Sequence, residues 1–243
     1  MVECVVYLDS ERAYLRARQK RPWKTPFEQL VCARRDALAS ILEQAKSEAS
    51  ARRGEIRALL GTSLCHFECI EGLEDVWRLP DLEAIAKRRF EDRVGVTEVA
   101  DMKISTERVW DDRVLACAVP TAVLRELEFA ASNCQIRLAS VQPWLGASLR
   151  RLRHRLAQRS AVAVEEPDCI SLVWEVERSL HIESLPLLQK QAAGEQLKLL
   201  LTSVDCDEKI FTHLLLQARL HEGQEGLDDA FADSVEISNL AQA

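Results

Sequence analysis

The chain has 243 residues, 47% of them hydrophobic and 29% charged, with a formal net charge of −7. That balance suits a soluble globular protein with a sizeable core, and the negative charge argues against bulk attraction to nucleic acid or an anionic membrane. No apolar run approaches the roughly 20 residues that span a bilayer, and the opening MVECVVYLDSERAYLRAR lacks the basic start and apolar core of a signal peptide, so a cytoplasmic location is expected.

In chain order, Val2 to Leu8 and Arg12 to Arg18 read as a hairpin around the turn Asp9-Ser10-Glu11, with a basic, Pro-containing connector at Gln19 to Lys24. Thr25-Pro26-Phe27-Glu28 carries the signature of a helix start, a capping Thr, a Pro at the first position and a Glu that completes a capping box. The predicted helix places Phe27, Leu30, Val31, Leu38, Ile41, Leu42 and Ala45 on one face and stops at Gly54. A second strand pair, Ile56 to Leu60 and Ser63 to Ile70, follows around Gly61. Leu79-Pro80-Asp81 opens a further helix with Leu82, Ile85, Ala86 and Phe90 inward and Gly95 as its stop, and Val99 to Val109 reads as a strand.

Val114 to Val119, a helix with Val123, Leu124, Leu127 and Ala131 on one face, and the alternating Ile136 to Val141 read as strand, helix, strand. Asn133 is the expected left-handed cap, and the unit argues for a mixed α/β domain. Leu145 to Gln158 is a predicted helix, Asp168 to Leu185 a hairpin, Leu187 to Leu201 a helix, and Lys209 to Leu220 a strand or helix. From Glu222 onward six acids and no base predict a loosely ordered tail. Cys4 to Leu8 with Glu11 to Leu15 is echoed by Cys169 to Val173 with Glu177 to His181, which suggests a duplication.

Sites of chemistry are sparse. There is no GxGxxG and no GxxxxGK[ST], and eight glycines in the chain are about half the average share. Eight cysteines scattered among apolar neighbours suit reduced, buried thiols. Cys65-His66-x-x-Cys69 is the one cluster of metal-ligand types, and it lacks the further ligands a tetrahedral site needs. No metal, cofactor or catalytic residue is therefore assigned. Arg150, Arg151, Arg153 and Arg155 form a basic helix face beside Trp144, and these five are the candidate partner-binding residues. Without interleaved aromatics or a nucleic-acid motif, the face suits solvent or a protein contact better than nucleic acid.

The order of elements, with LLGTSLCHFECIE, RRFEDRVG, the unit LACAVPTAVLRELEFAASNCQIRLASVQPWL and a late LVWEV, resembles degenerate actin-like (RNase H-like) proteins. The similarity is to the cytoplasmic PilM/GspL-type assembly proteins of type IV pili and type II secretion systems, over most of residues 1–220. It implies a mixed-sheet α/β architecture of two related lobes, an N-terminal lobe at 1–159, a smaller C-terminal lobe at 160–221 and the acidic tail at 222–243. It also implies protein partners, among them membrane-associated assembly components, and no membrane insertion of the chain itself. Nucleotide-binding members place a D-x-G type turn in the first hairpin of each lobe. Here Asp9-Ser10-Glu11 keeps the Asp without the glycine, and Trp174-Glu175-Val176-Glu177 offers only acids. The expected function is a non-catalytic scaffold or adaptor. The alternative is an actin-like ATPase or phosphotransfer enzyme that uses Asp9 and Mg-ATP.

Overall fold

The computed structural model describes residues 2–19, 27–49, 55–73, 75–76, 78–110, 113–152, 161–176, 179–187, 200, 213–217 and 235–238. In chain order the elements are β1 (Val2–Leu8), β2 (Arg12–Gln19), β3 (Phe27–Arg34), α1 (Leu38–Ala49), β4 (Glu55–Leu60) and β5 (His66–Ile70). Next come α2 (Leu79–Val94), α3 (Val96–Ala100), β6 (Met102–Trp110), β7 (Arg113–Pro120), α4 (Thr121–Asn133), β8 (Arg137–Pro143) and α5 (Trp144–Leu152). The strands β9 (Ala161–Glu165), β10 (Cys169–Val176), β11 (Ser179–Pro186), β12 (His213–Gln217) and β13 (Val235–Ser238) complete the order.

These elements form two compact units, Met1–Cys65 with Asp101–Lys103 and Val119–Trp144, and His66–Ala100 with Ile104–Ala118 and Leu145–Ala243. The first unit holds a five-stranded sheet in the order β3-β2-β1-β4-β8. β1 is central, and Cys4, Val6, Tyr7 and Leu8 are all buried, as expected of a strand covered on both faces. Its partners are antiparallel β2 and parallel β4. α1 covers the sheet with Leu38, Ile41, Leu42 and Ala45, all buried and spaced to form one helical stripe. α4 contributes Val123, Leu127, Ala130 and Ala131 to the same core. Each fully buried leucine of this set stabilises the fold by roughly 1.5–3 kcal/mol.

The second unit holds two sheets, the three-stranded β5-β7-β6 and the five-stranded β11-β10-β9-β12-β13. Leu82, Ala86 and Phe90 are the buried stripe of α2. Gly95 ends that helix at φ 102°, a backbone angle open to glycine, and donates its N–H to Glu91 O.

The two five-stranded sheets repeat one plan. β1/β2, β2/β3, β9/β10 and β10/β11 are antiparallel, while β1/β4 and β9/β12 are parallel. The copies differ at the fifth strand, parallel for β8 and antiparallel for β13. This is an α/β, mixed-sheet RNase H-like architecture of two related lobes.

Several expectations need correction. Residues 27–34 are strand, because the antiparallel ladder to β2 over all eight residues outweighs a local capping signature. β4 and β5 are not a pair, since β4 lies beside β1 and β8 while β5 pairs β7. β7 and β8, the strands of the strand–helix–strand unit, likewise lie in different sheets. The left-handed residue after α4 is Gln135, at φ 54°, not Asn133. Val235–Ser238, placed in the tail, is β13, while the strand or helix expected at Lys209 to Leu220 is a strand at His213–Gln217. Of the connector expected at Gln19 to Lys24, all but Gln19, and most of the helix expected at 187–201, lie outside the described residues.

Candidate functional site

In the first sheet the hairpin ladder ends at Leu8↔Ala13, which leaves Asp9 to Arg12 as the turn. The Asp9 N–H donates to Arg12 O at 3.0 Å. Asp9 Oδ1 accepts the Glu11 and Arg12 N–H groups at 2.8 and 2.6 Å, so the side chain closes an Asx-type turn on itself. Asp9 is only 1% exposed, although the three residues after it face solvent. Two further bonds hold the loop, the Arg35 N–H to Glu11 O at 2.8 Å and the Gly61 N–H to Leu8 O at 2.7 Å. The neighbouring Tyr14 phenol is pushed well above its ordinary range, first by burial and then by the Asp9 carboxylate and Cys32. The Arg12 guanidinium is also held up, chiefly by Tyr14 and then Cys32.

The second sheet contains the same turn. The ladder ends at Glu165↔Ile170, and the Glu166 N–H donates to Cys169 O at 2.8 Å. The Leu187 N–H donates to Asp168 O at 2.7 Å. Leu187 is the first residue after β11, as Arg35 is the first after β3, so the Asp9–Arg12 and Arg35–Glu11 backbone bonds each have a counterpart. Glu166 is 1% exposed, like Asp9. Asp9-Ser10-Glu11 therefore corresponds to Glu166-Pro167-Asp168.

The sequence echo, which set β1 against Cys169 to Val173, was one strand out of step, and Trp174-Glu175-Val176-Glu177 is not the counterpart of the first turn. Glu166 was missed. Its signal was the acid-Pro-acid run at 166–168, which punctuates two apolar stretches.

The donor inventory of these turns bears on chemistry. A turn that holds phosphate does so with free backbone N–H groups. In the first turn the Glu11 and Arg12 amides are engaged by Asp9. In the second, Pro167 has no N–H to offer. Among the described residues, the group of three metal-ligand side chains with mutually close donor atoms is Glu166, Asp168 and Cys169, within 4.8 Å of one another. Cys65, His66 and Cys69 are not part of it.

Of the partner-binding candidates, Arg150 is on the surface of α5 and makes a two-pronged pair with Glu107, Nε–Oε1 at 2.6 Å and Nη2–Oε2 at 2.7 Å. Trp144 opens that helix but is 7% exposed, its indole set edge-on against the Tyr7 ring at 6.4 Å. It lies among the buried residues, its ring packed on that of Tyr7. Arg151 lies in α5, and Arg153 and Arg155 are outside the described residues.

No family model matches the sequence, and no curated protein matches it. Solved structures do. The chain is similar to the cytoplasmic domain of EpsL, an inner membrane component of the type II secretion system of Vibrio cholerae, with TM-score 0.58 and 15% identity over 92% of this chain and 88% of that one. It is similar to a Bacteroides thetaiotaomicron protein with an actin-like ATPase fold and unknown function, with TM-score 0.55 and 11% identity over 88% of this chain and 81% of that one. It also matches the PilM-PilN type IV pilus biogenesis complex, with TM-score 0.56 and 14% identity over 84% of this chain and 66% of that one. At such identities the likeness is one of fold, and the fold is actin-like.

Proposed function

We propose that this chain is a non-catalytic actin-like scaffold or adaptor that binds other proteins in the assembly of a type IV pilus or a type II secretion system. The observation that carries the loss of catalysis is the closure of the first turn on Asp9 Oδ1. A nucleotide phosphate arriving there would have to displace a buried carboxylate from two amides and then lie beside it. Two anions at such a distance repel unless a cation intervenes. The assembly role is supported by the fold shared with the EpsL cytoplasmic domain and the PilM-PilN complex. No helix among the described residues is long and apolar enough to cross a membrane. The contacts proposed with membrane-associated components are protein contacts.

The α5 face is the proposed contact for an acidic partner. Arg150 already holds Glu107 in an exposed pair, and such pairs contribute about 0–1 kcal/mol. A partner carboxylate can therefore replace Glu107 at little cost. The test is titration of the purified protein with Mg-ATP by calorimetry and thermal shift, alongside a pull-down from the native host. No heat and no shift at millimolar ATP, with recovery of pilus or secretion components, is the expected result. Saturable micromolar binding would overturn the non-catalytic reading, and a pull-down without envelope-assembly components would overturn the assembly role.

A further inference from the structure

The second unit contains two sheets whose strands are far apart in sequence, and one rung of each meets the other. In β5-β7 the last ladder pair is Ile70↔Val114, and Glu71 and Arg113 are the residues next to it in sequence. In the β10–β11 hairpin, Glu175 and Leu180 are register partners. Arg113 Nη2 donates to Glu175 Oε1 at 2.9 Å, with side-chain exposures of 8% and 9%. Glu71 Oε1 accepts the Leu180 N–H at 3.0 Å, and Glu71 Oε2 accepts Ser179 Oγ–H at 3.0 Å.

We propose that these two rungs form a reversible latch that fastens the three-stranded sheet to the β10–β11 hairpin and holds the second unit closed without a bound small molecule. Three features make it a latch. Arg113 and Glu175 are both withdrawn from water, so separating them exposes two charges together and opening is concerted. β11 is the edge strand of its sheet, and Glu71 occupies an amide at that edge, where a strand otherwise invites a foreign partner. Finally, Glu71 and Arg113 follow the last ladder pair on its two strands and carry opposite charges, so an opened latch lets each serve as the other's partner. That exchange gives the open form its own satisfied arrangement and makes the unit two-state. The latch does not depend on whether the chain binds ATP.

The test is backbone amide exchange of the full chain by mass spectrometry, for the wild type, Glu71→Ala and Arg113→Met. Concerted opening predicts that each variant raises exchange by about tenfold or more in both 113–118 and 179–186, while β1 is unchanged. The ion-pair partner of Arg113 is Glu175, outside 179–186, so the effect of Arg113→Met on 179–186 is the discriminating one. Exchange raised only at each variant's own contact, or at neither, overturns the latch. Should Arg113→Met fail to fold, Glu71→Ala, an exposed position, decides the matter by its effect on 113–118.

Discussion

Asp9→Ala separates a structural Asp9 from a catalytic one. Asp9 Oδ1 accepts two amides at 2.8 and 2.6 Å in a turn whose backbone is otherwise held by Arg12, Arg35 and Gly61. Hydrogen bonds to a charged group contribute about 1.5–3 kcal/mol each. The two here share one acceptor, and the amides at the exposed residues Glu11 and Arg12 regain water when it is removed. The expected loss is therefore about 2–4 kcal/mol, at or below the low end of the simple sum of about 3–6 kcal/mol. Asp9→Asn keeps a carbonyl acceptor in place and should lose about 1 kcal/mol. Urea unfolding followed by circular dichroism measures both, with an unchanged m-value as the sign that only stability moved. A change below about 0.5 kcal/mol for Asp9→Ala would refute the turn-closing role, since that is the range of ordinary surface substitutions. Abolition of a wild-type ATPase activity by a fully stable Asp9→Ala would move the residue into catalysis.

Other expectations follow from the same structure. Tyr14 titrates higher in the folded chain than its ordinary 10.0, so the unfolded chain loses that proton first as pH rises. Its contribution is complete below about pH 10 and declines above it, and Tyr14→Phe should flatten that alkaline limb of a stability–pH curve. Phe90, fully buried in the stripe of α2, should cost about 3–5 kcal/mol as Phe90→Ala, read as a lower urea midpoint. The Cys134 thiol is buried, donates to Ala39 O at 3.4 Å and is pushed up by burial and then Glu43. It should resist thiol reagents until urea is added, whereas the half-buried Cys65 and Cys69 should label sooner. A double-mutant cycle on Arg150 and Glu107 should give a coupling below about 1 kcal/mol that shrinks in salt.

The sequence by itself determined those features whose cause is local. Residues 4–8 are apolar without interruption, and a strand apolar on both sides has no stable place but the middle of a sheet. The stripes Leu82-Ala86-Phe90 and Val123-Leu127-Ala131 recur every three to four residues, and Gly95 supplies a backbone angle that other residues resist. The hairpin, these helices, the mixed α/β class and the actin-like resemblance were legible from such signals. The reading of Asp9 as the turn residue was too, because Asp-Ser-Glu between two strand-length stretches is turn chemistry.

Tertiary structure decided whatever depends on which strand lies beside which. Thr25 to Glu28 carries every local mark of a helix start, yet residues 27–34 are strand because β2 offers eight residues a ladder that a helix would leave unfilled. β4 and β5 are close in sequence but join different sheets, for backbone hydrogen bonds carry no record of sequence distance. For the same reason the partnership of Glu166 with Asp9 was hidden. The two turns share no residue type at their first position, and what equates them is a pair of backbone bonds, made by Arg35 and Leu187 among others, that no side-chain pattern encodes. Trp144 shows the complementary effect. An aromatic at a helix start reads equally well as exposed or as buried, and its packing against the Tyr7 ring is a fact of the tertiary structure alone.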